Sequence, residues 1–247
     1  MSDSTDDSSN AGNAAEALPV SKLGDASRSW PRVLGEIAII VVGVVIAITL
    51  EQLVQEIHWS SEVSNARRAL YAETAEANAI FRYRLAAQDC VARRLDALEA
   101  ATERAAAGQP APVFGTIQPH IGFALVDSTW QAERASQVLT HFPDDELLGF
   151  GAYYYQLSNM QRIIDDEFDA WQIIRILEGD PKRLNAADFS NLRVAMKRAR
   201  STNGLIAAIA REQLATAAAL KLPVGQIDRD RLKLACAPIA ELAASAR

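Results

Sequence analysis

The chain has 247 residues, 49% hydrophobic and 23% charged, with a formal net charge of -6 at pH 7. That length and apolar content suffice for a domain with its own core and exclude a disordered chain. The acidic balance, with Lys and Arg scattered among carboxylates, excludes nucleic acid as a partner, because phosphate binding needs a dense basic face.

Aromatic residues make up 6% of the chain and Ala-rich stretches recur. Ala loses no side-chain entropy in a helix and strand formers are scarce after the first apolar run, so the composition predicts an all-α fold. Residues 1–29 are rich in Ser, Asp, Asn and Ala with few large apolar side chains. They lack the apolar surface that would offset ordering entropy and are expected to form a disordered tail.

The next segment runs without a charge from Ile37 to Leu50. Those residues alone are short for a membrane span, and by themselves also fit a buried core helix. Extension to Val33 and Val54 gives about 22 residues, enough to cross ~30 Å of hydrocarbon, with Glu36 and Glu51 near the ends. Trp30 and Trp59 bracket the run at roughly 43 Å along a continuous helix, the depth at which indoles anchor in both interfaces. A cleaved signal peptide fits worse, since its leading region would be long and acidic and no small-residue cleavage site follows. The segment 30–59 is therefore expected to be a single transmembrane helix and an uncleaved signal anchor.

Lys22, Arg28 and Arg32 precede the span, whereas the far side carries no Lys or Arg until Arg67 and Arg68. The positive-inside rule then places the tail in the cytoplasm and residues 60–247 outside it, in the periplasm of a bacterium with an inner membrane. Within the span, Glu36, Gly43 and Ala47 share one helix face, with Gly43 and Ala47 forming a small-xxx-small pair. Two readings stand for this face. It is a seam for a second copy or another membrane protein, or it is an ordinary apolar helix face with an interfacial carboxylate.

After Trp59 the helical pattern continues to Gly108 through Val63, Leu70, Ala77, Phe81, Leu85, Val91, Leu95 and Leu98, and Gly108-Gln109-Pro110-Ala111-Pro112 ends it. Irregular chain with Gly115, Pro119 and Gly122 follows. Ser128 or Thr129 can cap a short helix toward Leu139, and Pro143 is placed in the first turn of the next one, where Asp144, Asp145 and Glu146 favour the positive helix end. The expected stripe of that helix is Leu147, Tyr154, Leu157, Ile164, Phe168, Trp171 and Ile174. A further helix over about 186–220 buries Phe189, Leu192, Met196, Leu205, Ile206, Ile209 and Leu214, and a last piece covers about 228–234 before Pro238. The economical assembly is an antiparallel helical bundle that continues from the transmembrane helix.

The two cysteines, Cys90 and Cys236, fall on the side of the membrane where thiols commonly pair. A bridge would close a long loop, for which the chain-entropy model gives about 4 to 5 kcal/mol as an upper figure. Two buried free thiols are the competing reading.

Chemistry-bearing patterns are sparse. No nucleophile elbow, zinc-protease helix or phosphate loop occurs, and no catalytic residue, cofactor or metal ligand is assigned. His58, His120 and His141 are far apart in sequence. Asp165, Asp166, Glu167 and Asp169 form the densest acidic cluster and are expected mainly on the solvent face. Tyr153, Tyr154 and Tyr155 point in three directions on a helix, so at most two share a pocket.

Gly35-Glu36-Ile37, the run from Val42 to Ala47, Trp59, Ser128-Thr129-Trp130 and Tyr153-Tyr154 resemble segments of bacterial single-pass membrane-anchored helical proteins grouped as a domain of unknown function. The resemblance implies an anchor plus a helical domain, supplies no activity, and carries over only Gly43 and Ala47. The expected function is an interaction or scaffold role in the cell envelope, not an enzyme. The alternatives are a ligand-sensing bundle acting through a membrane partner and an unrecognised hydrolase that would bring His120 or His141 to the acidic cluster.

Overall fold

The computed structural model describes residues 30–117 and 123–239. The expected disordered tail at 1–29, and Pro119, His120 and Gly122, lie outside the described residues. Two compact units result, residues 1–56 and 57–247.

Among the described residues the fold is all-α, with five helices: α1 (Trp30–Ala106), α2 (Ser128–Ala135), α3 (Asp144–Ile174), α4 (Ala186–Ala219) and α5 (Arg229–Cys236). Among the described residues there is no strand, and Phe114 makes isolated bridges to Glu178 and Gly179. In the first unit, α1 is an apolar helix on which every residue from Val33 to Leu53 and on to Glu56 is exposed. It is long and apolar enough to cross a membrane, and none of its most apolar window is buried.

In the second unit, α1, α3 and α4 build the bundle. Arg67 meets Glu146 and Arg84 meets Glu167, so α1 and α3 run in the same direction. Arg193 meets Glu103 and Arg200 meets Glu99, so α4 runs antiparallel to α1. Arg198 meets Asp166, and Gln213 donates to the Tyr153 carbonyl, so α4 is antiparallel to α3 as well.

The core joins Leu70, Phe81, Leu95 and Leu98 of α1 to Leu157, Met160 and Trp171 of α3 and Leu192 and Ile206 of α4. Burying each such side chain contributes about 1.5 to 3 kcal/mol. Ala195, Ala199, Ala210 and Ala217 are buried on α4, and their small side chains let it approach its neighbours closely.

The helix ends follow local chemistry. α1 stops where Gly108 turns left-handed (φ 68), with Gln109 N–H on the Arg104 carbonyl and Gly108 N–H on Ala105. α4 opens on a capping box between Asn185 and Asp188, and Asp228 caps α5. Pro143 is the residue before α3, not within its first turn.

Three further expectations are corrected. The helix from Ser128 ends at Ala135 because Gln137 adopts a left-handed conformation (φ 66), and a 3-10 turn over Val138–His141 then buries Val138 and Leu139. Phe168 is 42% exposed, and the α3 stripe passes through Glu167, which is 0% exposed. Leu205 is also exposed, because α4 turns the Ile206 side of that turn toward the core.

Candidate functional site

The second unit encloses a column of polar side chains on three helices. Asn78 on α1 donates to the Pro223 carbonyl at 2.8 Å and accepts from the Tyr153 hydroxyl at 2.8 Å. Gln213 on α4 donates to the Tyr153 carbonyl at 3.1 Å, joining α4 to the same node. One helical turn and a half along α1, Arg84 donates to both carboxylate oxygens of Glu167, at 3.0 and 2.8 Å, and lies 3.5 Å from the Asn203 amide oxygen. Asn203 donates in turn to the Gln88 carbonyl at 3.2 Å.

Burial sets the electrostatics. It pushes the Glu167 carboxyl up to about 7, against the downward pull of the Arg84 guanidinium. The Tyr153 and Tyr154 hydroxyls are driven well above the usual tyrosine value by burial, reinforced by the Glu73 charge. Burial holds Arg94 below the ordinary arginine value. Glu73 accepts from Thr129 N–H at 2.7 Å, so a carboxylate on α1 serves the first turn of α2, whose own Asp127 makes no side-chain cap bond.

A groove of about 570 Å³ opens between α1, the start of α3 and the end of α4, with Arg67, Tyr71, Phe150, Lys221 and Leu222 in its walls. Arg67 holds Glu146 there through two contacts of 2.6 and 2.7 Å. Lys221 keeps a left-handed conformation (φ 55) just past α4.

The residues singled out in the sequence fare differently. Cys90 and Cys236 form a disulfide with a Cα separation of 4.8 Å. Glu36, Gly43 and Ala47 lie exposed on α1, and a Cβ at Gly43 would meet nothing within 4 Å. Trp30 is 68% exposed, whereas Trp59 stacks on His141 with ring centroids 3.9 Å apart. His58 and His141 thus both contact the Trp59 ring. Asp165, Asp166 and Asp169 are exposed, with Asp165 accepting from Gln161 and Asp166 paired to Arg198.

His141 precedes α3 and Asp165 lies six turns into it, about 32 Å from the helix start, so those two do not meet. Among the described residues no group of three or more His, Cys, Asp or Glu is placed to hold a metal ion. Tyr153 and Tyr154 both turn inward while Tyr155 is exposed. Trp130 stacks on Tyr154 at 5.0 Å, tying α2 to α3.

Sequence reasoning missed the Arg84–Glu167 pair. Its signal was present in the spacing, since Ile164, Glu167, Trp171 and Ile174 are separated by three, four and three residues. Compared with family models, curated proteins and solved structures, the chain matches none.

Proposed function

We propose that the chain is a membrane-anchored interaction or scaffold protein of a bacterial cell envelope. Residues 30–59 cross the inner membrane once as an uncleaved signal anchor, the N-terminus faces the cytoplasm, and the helical domain stands in the periplasm. The observation that carries this reading is the apolar helix of the first unit, whose Ile, Val and Leu side chains from Val33 to Val54 are exposed. A contiguous apolar surface of that extent belongs in lipid or against a partner.

Two further observations support the placement. The bridge between Cys90 and Cys236 is of a kind that persists in oxidising compartments. Lys22, Arg28 and Arg32 gather on the side assigned to the cytoplasm. The Glu36, Gly43 and Ala47 face is the proposed contact with a second copy or another membrane protein.

The test is carbonate extraction of membranes followed by protease treatment of spheroplasts. Retention in the carbonate-washed pellet and digestion of the helical domain by external protease are expected. Release by carbonate, or a domain protected until the cells are lysed, would overturn the reading. A photo-crosslinker at position 43 then identifies what the helix face touches.

The groove beside Tyr71 and Phe150 favours a second reading, a ligand-sensing bundle, because its volume of about 570 Å³ falls in the range of small-molecule sites. A stabilising ligand whose effect is lost in Phe150→Ala would favour that reading over a scaffold.

A further inference from the structure

We propose that the Cys90–Cys236 bridge is a site of thiol–disulfide exchange with an external dithiol, attacked at Cys236, whose opening releases α5 from α1. The inference is independent of the membrane reading, since it rests on the second unit alone.

The two half-cystines differ in exposure. Cys236 ends α5 and is exposed, whereas Cys90 is half-buried in α1. Access therefore favours attack on Cys236, with Cys90 as the leaving group. Arg93, less than one turn along α1, places its guanidinium Nη2 3.4 Å from the Cys90 sulfur. A cation at that distance stabilises the thiolate that departs, and a better leaving group speeds exchange.

What the bridge holds is a short helix. α5 has eight residues, of which Ala235 is buried and Leu232 half-buried against the core, with Ile227 and Ile239 packed beside it. A helix of that length is not stable in isolation. Besides the bridge, Arg94 donates to the carbonyls of Leu234 and Ala237 at 3.2 Å, and Arg231 lies 4.6 Å from the Phe123 ring centroid. The chain just before α5 is fastened separately. Asn78 holds the Pro223 carbonyl and Gly225 N–H donates to the Ala75 carbonyl at 2.9 Å. Opening of the bridge therefore frees the α5 end while the segment at 223–225 stays on α1.

The step balances as a two-electron exchange. A thiolate of the dithiol attacks the Cys236 sulfur, the Cys90–Cys236 bond breaks, and Cys90 leaves as a thiolate beside Arg93. The second thiol of the reductant then attacks its own sulfur in the mixed disulfide and releases Cys236. The dithiol ends as a disulfide, both cysteines end reduced, and its two protons pass to them.

The test uses the full chain in detergent with 2-mercaptoethanol, a monothiol whose mixed disulfide carries no second thiol of its own to resolve it, and an alkylating trap added early in the reaction. Peptide mapping is expected to find the thiol adduct on Cys236 and the alkyl group on Cys90. With dithiothreitol, Arg93→Gln is expected to open about fivefold more slowly while Arg93→Lys keeps the original rate. Hydrogen exchange on the reduced protein should show lost protection in α5 with α3 and α4 unchanged. An adduct on Cys90, an unchanged rate in Arg93→Gln, or opening that occurs only as α3 and α4 lose protection would overturn the proposal.

Discussion

Arg84 donates from one guanidinium nitrogen to both carboxylate oxygens of Glu167, and the two side chains are 1% and 0% exposed. A buried ion pair is costly to break from one side, because the remaining charge keeps its desolvation penalty without its partner. Arg84→Met is expected to lower unfolding stability by up to about 3 kcal/mol. Glu167, already pushed up to about 7 with Arg84 present, takes a proton once the guanidinium is gone, so the loss is limited to the packing and hydrogen bonds. The double variant Arg84→Met, Glu167→Leu should recover most of that loss, as measured by denaturant unfolding of the full chain in detergent.

The same carboxyl gives the domain a pH dependence. Its folded-state value, pushed up to about 7, lies above the ordinary 4.5, so folding favours the protonated form. The stability it contributes is complete below pH 4.5 and is lost as pH rises through about 7. Within that window the slope of unfolding free energy against pH should differ between the wild type and Glu167→Gln by up to about 1.4 kcal/mol per pH unit. Equal slopes would show that Glu167 does not titrate there.

Glu73 reaches from α1 to Thr129 N–H at 2.7 Å and so supplies the cap that α2 lacks locally. Glu73→Ala is expected to cost about 1 kcal/mol, in the range of a lost helix cap. Exchange of the Thr129 amide should quicken selectively. Uniform loss of protection across the bundle would instead mark a core defect.

Two glycines should respond in opposite directions to the same change. A Cβ on Gly225 would lie 2.7 Å from the Ala75 carbonyl oxygen, a backbone atom that cannot step aside, whereas one on Gly204 would meet nothing within 4 Å. Gly225→Ala is expected to destabilise by about 1 to 3 kcal/mol. Gly204→Ala, inside α4, should stabilise by up to about 1 kcal/mol through helix propensity alone. Thermal unfolding of the two variants side by side checks both signs.

Much of the architecture was legible from local chemistry. The apolar run at 33–54 and the stop at Gly108 are each written in consecutive residues, because helix length and termination depend on neighbours along the chain. The pairing of Cys90 with Cys236 was also readable as one of two alternatives, since two thiols admit a single bridge.

Less of the polar interior was readable, and α3 shows why. Phe168 and Glu167 are adjacent, both fit a helical stripe with Ile164 and Trp171, and residue type alone favours the aromatic. The register is decided by Arg84, which arrives from 83 positions away and makes burial of a carboxylate affordable. Trp59 gives a second case: its position near the apolar run suggested an interfacial anchor, yet its stack on His141 depends on where the 3-10 turn at Val138–His141 comes to rest.

By itself, then, the sequence determined an all-α chain, an apolar helix long enough to span a membrane, and the helix boundaries that Gly, Pro and capping residues impose. The tertiary structure decided which charges are buried, that α1 and α3 run parallel, and that Cys236 is more exposed than Cys90. The division has one physical cause. Periodicity and capping act within a few residues, whereas the stability of a buried charge or the exposure of a sulfur depends on groups that only folding brings within hydrogen-bond distance.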